Sequence, residues 1–94
     1  MSDIKHEYSE KGGAFVYYLG ELKMAEMVYV KVNDRKIIID HTDVDPALKG
    51  KGIGKELLWE LVQWVRNNEI KVIPLCPFAH ATFNRMKEWQ DVLE

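Results

Sequence analysis

The chain holds a single cysteine, Cys76, among its 94 residues. One thiol excludes an internal disulfide and a four-cysteine zinc site. It fits a reducing interior, and the cytoplasm is the expected compartment. No apolar run approaches the ~18 residues that a membrane-spanning helix needs. The first residues, MSDIKHEYSEKGG, contain no apolar signal segment. Positive charge is not in excess either. Thirteen Lys and Arg against fifteen Asp and Glu give a formal net charge of -2, which argues against nonspecific nucleic-acid binding. Internal repeats and low-complexity tracts are also missing. What is present is an ordinary globular balance, 47% hydrophobic and 30% charged. The length suits one domain over residues 1–94 with one modest core.

The first half reads as strands. Ile4 to Tyr8 is a short first strand, and Gly12-Gly13 then breaks the chain. Ala14 to Leu19 is rich in aromatic and β-branched residues, a second strand. Gly20-Glu21 is a turn. Lys23 to Val32 alternates, with Val28, Val30 and Val32 on one face and Met27, Tyr29 and Lys31 on the other. Asn33-Asp34 is a hairpin turn, and KIIIDHTDV, Lys36 to Val44, is a fourth strand stopped by Asp45-Pro46. These four strands form an antiparallel meander.

The period then changes. At 3.6 residues per turn, Ile53, Leu57, Leu58, Leu61, Val62, Trp64 and Val65 share one face, opposite Lys55, Glu56, Glu60, Gln63, Arg66 and Asn67. Ile53 to Arg66 is thus an amphipathic helix of about four turns. Trp59 lies off the apolar stripe, either a surface aromatic or a contact site. Ile70 to Leu75 is a buried strand, and Pro77 opens a second, short helix to Met86. Apolar residues of the tail WQDVLE can dock back on the sheet. Strand, helix and strand in series imply a crossover with parallel pairing. The fold is therefore α+β, an antiparallel meander completed by one βαβ unit and followed by a short C-terminal helix.

Three of the six glycines fall within residues 50–54, in LKGKGIG. The stretch joins the fourth strand to the long helix, where free backbone N–H groups and the positive end of the helix dipole converge. Glycines let an anion approach the backbone, and Lys49, Lys51 and Lys55 add charge. The expected ligand is a phosphate or pyrophosphate. A Walker loop is excluded, because Lys49 stands where its first glycine belongs and Glu56 where its Ser or Thr belongs. A dinucleotide fingerprint fails at Leu57. The bland alternative is a glycine-rich turn that only permits tight packing.

Lys49-Gly50-Lys51-Gly52-Ile53-Gly54 resembles the acetyl-CoA loop of the GNAT acetyltransferases, with lysine in its first place. Val44-Asp45-Pro46 resembles the strand end that precedes that loop. HTDVDPALKGKGIGKELL, IPLCPFA and EWQDVL together resemble the small, single-domain YjdJ-like GNAT proteins. The resemblance implies a compact GNAT-like acyl-CoA N-acyltransferase fold in which the strands ending at Val44 and Leu75 splay apart. It implies acetyl-CoA as cofactor. Its pyrophosphate would sit on the N–H groups of Lys49 to Gly54 beside Lys55, and its pantetheine arm would run past Val44. The acetyl group would lie near residues 41–44 and 76–80.

The same resemblance marks departures. Larger members place Asn, Ala and Tyr where this chain has Cys76, Ala79 and Phe83. Phe83 would still face the cofactor, yet it has no proton for the departing thiolate. The N-terminal helices that wall the acceptor groove of larger members are missing too. The acceptor site should therefore be open, and a protein or peptide lysine fits it.

Cys76 follows a buried strand and precedes Pro77, at a helix start that favours thiolate. It is either an acyl-accepting nucleophile or a small buried hydrophobe. Asp40 and His41 adjoin on a strand, so their side chains are expected on opposite faces. His41 is a candidate general base or a structural histidine, and His80 a weaker candidate beside Cys76. His6, His41, His80 and Cys76 show no metal-ligand spacing, so no metal is expected. The resulting expectation is an acetyl-CoA-dependent N-acetyltransferase with an amine acceptor, acting directly or through Cys76. The alternative is a non-catalytic CoA-binding module. Neither nucleic acid nor membrane is expected as a partner, and the chain is expected to act as a monomer.

Overall fold

Alternation in the first half and a helical stripe in the second translate into one sheet with helices packed on one face. The computed structural model describes residues 3–94. The strands are β1 (Ile4–Tyr8), β2 (Gly12–Leu19), β3 (Leu22–Asn33), β4 (Lys36–Val44) and β5 (Lys71–Pro74). The helices are α1 (Ile53–Asn67) and α2 (Pro77–Arg85), with 3₁₀ turns at Pro46–Leu48 and Lys87–Val92. The sheet runs in chain order, β1-β2-β3-β4-β5. The first four strands pair antiparallel, and β5 pairs parallel with β4. This is the expected α+β architecture.

The core lies between the sheet and α1. Ala25, Met27 and Tyr29 of β3 and Ile37 and Ile39 of β4 face Leu57, Leu58, Leu61, Val62 and Val65, all buried. Each such aliphatic side chain contributes about 1.5–3 kcal/mol by leaving water. The alternation of β3 also shows which face is covered. Val30 and Val32 are nearly half exposed on the open side of the sheet. At the β1 end, His6 stacks on Phe15 with ring centres 4.1 Å apart and bonds Tyr29 Oη at 2.6 Å. Burial lowers the His6 pKa and pushes that of Tyr29 up to about 12.

Gly12 and Gly13 do not break the chain; they begin β2. A Cβ at Gly13 would sit 2.5 Å from the Glu7 carbonyl oxygen and 2.9 Å from the Tyr29 hydroxyl. The glycine is there because neighbouring strands approach it closely. The β3–β4 turn falls one residue later than expected, at Asp34-Arg35, because the Asn33 side chain accepts from the Arg35 N–H at 2.8 Å. The tail docks as expected. Trp89 and Val92 are buried, and Leu93 bridges to Val72. Arg66 clamps the tail to α1 with bonds of 3.0 and 2.7 Å to the Asp91 carboxylate. It also donates to the Glu88 carbonyl at 3.1 Å.

The β4–β5 ladder covers Lys36–Ile39 against Lys71–Pro74 and stops there. β4 continues to Val44 with β3 as its partner. The chain beyond Pro74 turns away through Leu75 into α2. The strands therefore part, and the backbone bond from Cys76 N–H to the Ile39 carbonyl, 3.0 Å, closes the base of the gap.

Candidate active site

The loop between β4 and α1 is built residue by residue. Asp45 Oδ1 accepts from the Ala47 N–H at 2.9 Å and caps the 3₁₀ turn at Pro46, while buried Leu48 anchors it. Gly50 and Gly52 follow with φ of +80° and +76°, the left-handed region that costs a β-carbon strain. A Cβ at either would meet nothing within 4 Å. Backbone conformation, not packing, requires these two glycines. Gly54 is different: a Cβ there would lie 2.7 Å from the ring of Phe78. It admits that ring against the start of α1, so one of the three glycines does serve tight packing. The first bond of the helix runs from the Glu56 N–H to the Gly52 carbonyl, 3.1 Å. The amides of Ile53, Gly54 and Lys55 therefore precede any intrahelical partner, and Gly52 has no side chain to cap them.

These groups face a cleft of about 410 Å³ between the loop and α2. Its walls include Val44, Leu48, Lys49, Gly50, Gly52, Ile53, Gly54 and Lys55 on one side. Phe78, Thr82 and Arg85 form the other. Seven of the residues expected to contact a cofactor thus share one cleft. Lys51 is exposed and does not line it. Phe83 does not line it either. It is 1% exposed, packed in the core, and borders a separate cavity with Val72, His80 and Leu93. Phe78, five residues earlier and 38% exposed, presents the aromatic face instead.

A bulge shapes the strand end. Val28 pairs with His41 and Tyr29 with Ile39, which leaves Asp40 unpaired. The simple alternation expected of Asp40 and His41 is lost, and their side chains meet, His41 Nδ1 to Asp40 Oδ2 at 2.9 Å. Bulges re-aim side chains in this way. His41 Nε2 lies 3.7 Å from Asp43. The Asp40 hydrogen bond raises the His41 pKa above its ordinary value, aided by the charge of Asp43. Beyond the bulge it is Thr42, paired with Met27, that faces the helix side. Thr42 Oγ1 sits 3.2 Å from Cys76 Sγ. His41, paired with half-exposed Val28, lies on the open side. Cys76 is the N-cap residue of α2 and only 3% exposed. His80 is exposed, and its backbone amide donates to the Cys76 carbonyl at 2.9 Å.

Glu26, His41 and Asp43 place one donor atom each within 4.8 Å of one another. Spacing along the chain does not show this cluster, because the β3–β4 register assembles it. Phe78 falls within the stretch 76–80 expected near the acetyl group, but Thr82 and Arg85 were not expected, although the i, i+4, i+7 spacing of the three puts them on one face of α2. Thr42 lies within the stretch 41–44 expected near the acetyl group, but its contact with Cys76 spans two elements and carried no local signal.

A splayed β4–β5 pair, with a glycine-rich helix start beside it, defines the acetyltransferase fold of the GNAT type. Residues 14–92 match the model of the GCN5-related N-acetyltransferase family, and the chain belongs to that family. The solution structure of a GCN5-like candidate N-acetyltransferase from Staphylococcus aureus is 33% identical, with a TM-score of 0.72. That match covers 100% of this chain and 91% of the other. Ribosomal-protein-alanine N-acetyltransferase from Brucella melitensis biovar Abortus 2308 shares the fold at 16% identity and a TM-score of 0.65. The match spans 92% of this chain and 64% of that one. No curated protein matches the chain in sequence.

Proposed function

We propose that the protein transfers the acetyl group of acetyl-CoA to an amine, with direct attack on the thioester. The supporting observation is the cleft itself, which sets the free amides at the start of α1 beside Val44 at the end of β4 and Phe78 and Thr82 of α2, while the β4–β5 ladder stops at Ile39. In this reading the pyrophosphate rests on the amides of Ile53, Gly54 and Lys55, under the charges of Lys49 and Lys55, because the Lys49 and Lys51 amides already donate to the Pro46 and Leu48 carbonyls at 3.2 Å. Lys51 adds charge from outside the cleft. The pantetheine arm follows Val44, Phe78 and Thr82. The thioester then lies in the gap, where the carbonyl can be reached from the open face of the sheet.

The acceptor approaches from that open face. The exposed carboxylates of Asp40 and Asp43 attract an ammonium ion, such as a lysine of a protein or peptide, whereas Glu26 is already paired with Lys23 at 3.1 Å. The hydrogen bond from His41 Nδ1–H to Asp40 fixes the tautomer and leaves Nε2 to accept the amine proton. The free amine attacks the carbonyl carbon, a C–N bond forms, and the C–S bond breaks. The CoA thiolate departs and takes up, through water, the second proton that the nitrogen loses as the amide forms. A raised His41 pKa means that the base is neutral only at higher pH, so activity should rise with an acid limb above pH ~6.5. In Asp40→Asn the hydrogen bond to a carboxylate is lost, and the acid limb of kcat/KM should move to lower pH. A limb that stays in place would remove His41 as the base.

A second reading passes the acetyl group through Cys76, favoured by its place at the N-cap of α2. The thiolate would attack the thioester, release CoA and hand the acetyl group to the amine. Burial and a neutral Thr42 neighbour favour the direct route. Cys76→Ala is therefore expected to acetylate amines within about threefold of the wild-type rate, with stability lowered by about 1 kcal/mol. Loss of turnover in a folded variant that still binds acetyl-CoA would establish the relay.

A further inference from the structure

The exposed face of Trp59 is unexplained by packing of α1 against the sheet. Its ring is 37% exposed and stacks on buried Trp89, with centres 5.4 Å apart and planes inclined by 23°. Trp89 is itself fixed, because the clamp of Arg66 on Asp91 and Glu88 brackets it. The two rings and Met86 line a groove of about 390 Å³ with Gly52, Lys55 and Glu56. Gly52 and Lys55 also line the cleft at the glycine loop. The two cavities thus meet at the first turn of α1, where a pyrophosphate would sit.

We infer that Trp59 is the stacking platform for the adenine ring of CoA. The inference rests on the cofactor reading above. A CoA pyrophosphate at Gly52 and Lys55 has two arms. One enters the strand gap, and the other must leave over the outer surface. The groove starts at the same two residues and offers a flat aromatic face, so the purine has a partner for its π-system. Trp89 behind Trp59 and Met86 beside it hold the platform in place before the ligand arrives, which reduces the ordering cost of binding. Glu56, at the rim, is an acceptor within the same groove for an amino group of the base. This assigns affinity for the nucleotide end to a residue outside the glycine loop.

The test is calorimetric titration of wild type, Trp59→Ala and Trp59→Phe with acetyl-CoA and with an S-acetyl phosphopantetheine, which lacks the adenosine. Trp59→Ala should bind acetyl-CoA roughly tenfold more weakly. It should bind the truncated thioester as wild type does, and Trp59→Phe should recover most of the loss. Fluorescence offers a second readout that needs no alanine variant. Acetyl-CoA, and not the truncated thioester, should quench wild-type emission, and the quench should be absent in Trp59→Phe. Equal acetyl-CoA affinity in all three proteins would overturn the proposal. So would parallel loss of both ligands in Trp59→Ala, which would make the ring a structural support. If wild type binds the truncated thioester and gains nothing from the adenosine, the stack is absent while the loop reading stands. If wild type binds neither, the cofactor reading fails and the platform with it.

Discussion

Gly52→Asp will bind acetyl-CoA about a hundredfold more weakly than wild type while remaining folded. The residue has φ +76°, and a Cβ there meets nothing within 4 Å. The cost to folding is therefore backbone strain alone, roughly 1–2 kcal/mol. Binding suffers more. A carboxylate would occupy the space over the Ile53, Gly54 and Lys55 amides and repel the pyrophosphate. Charge-assisted hydrogen bonds are worth ~1.5–3 kcal/mol each, and losing two of the weaker ones is about a hundredfold. Gly52→Asn separates charge from shape, since asparagine tolerates the left-handed region and carries no charge. It should bind at an affinity between the two. Titration calorimetry with thermal melts reads both quantities. A folded Gly52→Asp with wild-type affinity would place the pyrophosphate elsewhere.

Phe83→Ala will lower the melting temperature by roughly 15 °C or more, whereas Phe78→Ala will lower it only slightly. Phe83 is 1% exposed and packed between α2, β5 and the tail. Emptying such a site costs about 3–5 kcal/mol, a large part of the total stability of about 5–15 kcal/mol for a small protein. For this size each kcal/mol shifts the midpoint by about 4–8 °C. Phe78 is already 38% exposed, so little transfer energy is lost with it. Its removal strips the aromatic wall opposite Gly54, and acetyl-CoA affinity should fall. Scanning calorimetry and ligand titration on the pair decide it. A mild Phe83→Ala that loses the ligand would return that residue to the cofactor wall.

Local periodicity made most of this fold legible. β4 runs Lys36–Val44 as read, and α1 starts at Ile53 and ends one residue later than expected. Both depend on side chains close in sequence. The glycine loop was legible for the same reason, since its helix start and its lysines are contiguous. What escaped is set by pairing between distant segments. Gly12 and Gly13 look like a break until Glu7 and Tyr29 are seen to crowd them. The bulge at Asp40 follows from the β3–β4 register, and it turns an expected opposition of Asp40 and His41 into a hydrogen bond. The same register gathers Glu26 with His41 and Asp43. Phe83 and Phe78 differ in role because of where α2 lies against β5 and α1, which helical spacing alone leaves open.

Acetyl transfer itself is the measurement that bears most directly on the account. The protein is incubated with acetyl-CoA and a panel of amines: small alkylamines, polyamines, and peptides bearing a free lysine or a free N-terminus. Free CoA thiol and acetylated product are followed together, the second by mass spectrometry. The account predicts that at least one amine is acetylated in step with CoA release, faster than in a reaction without protein, and that His41→Ala slows this at least a hundredfold without loss of acetyl-CoA binding. Stable binding of acetyl-CoA with no acetylated product from any amine class would contradict it and leave a non-catalytic CoA-binding module.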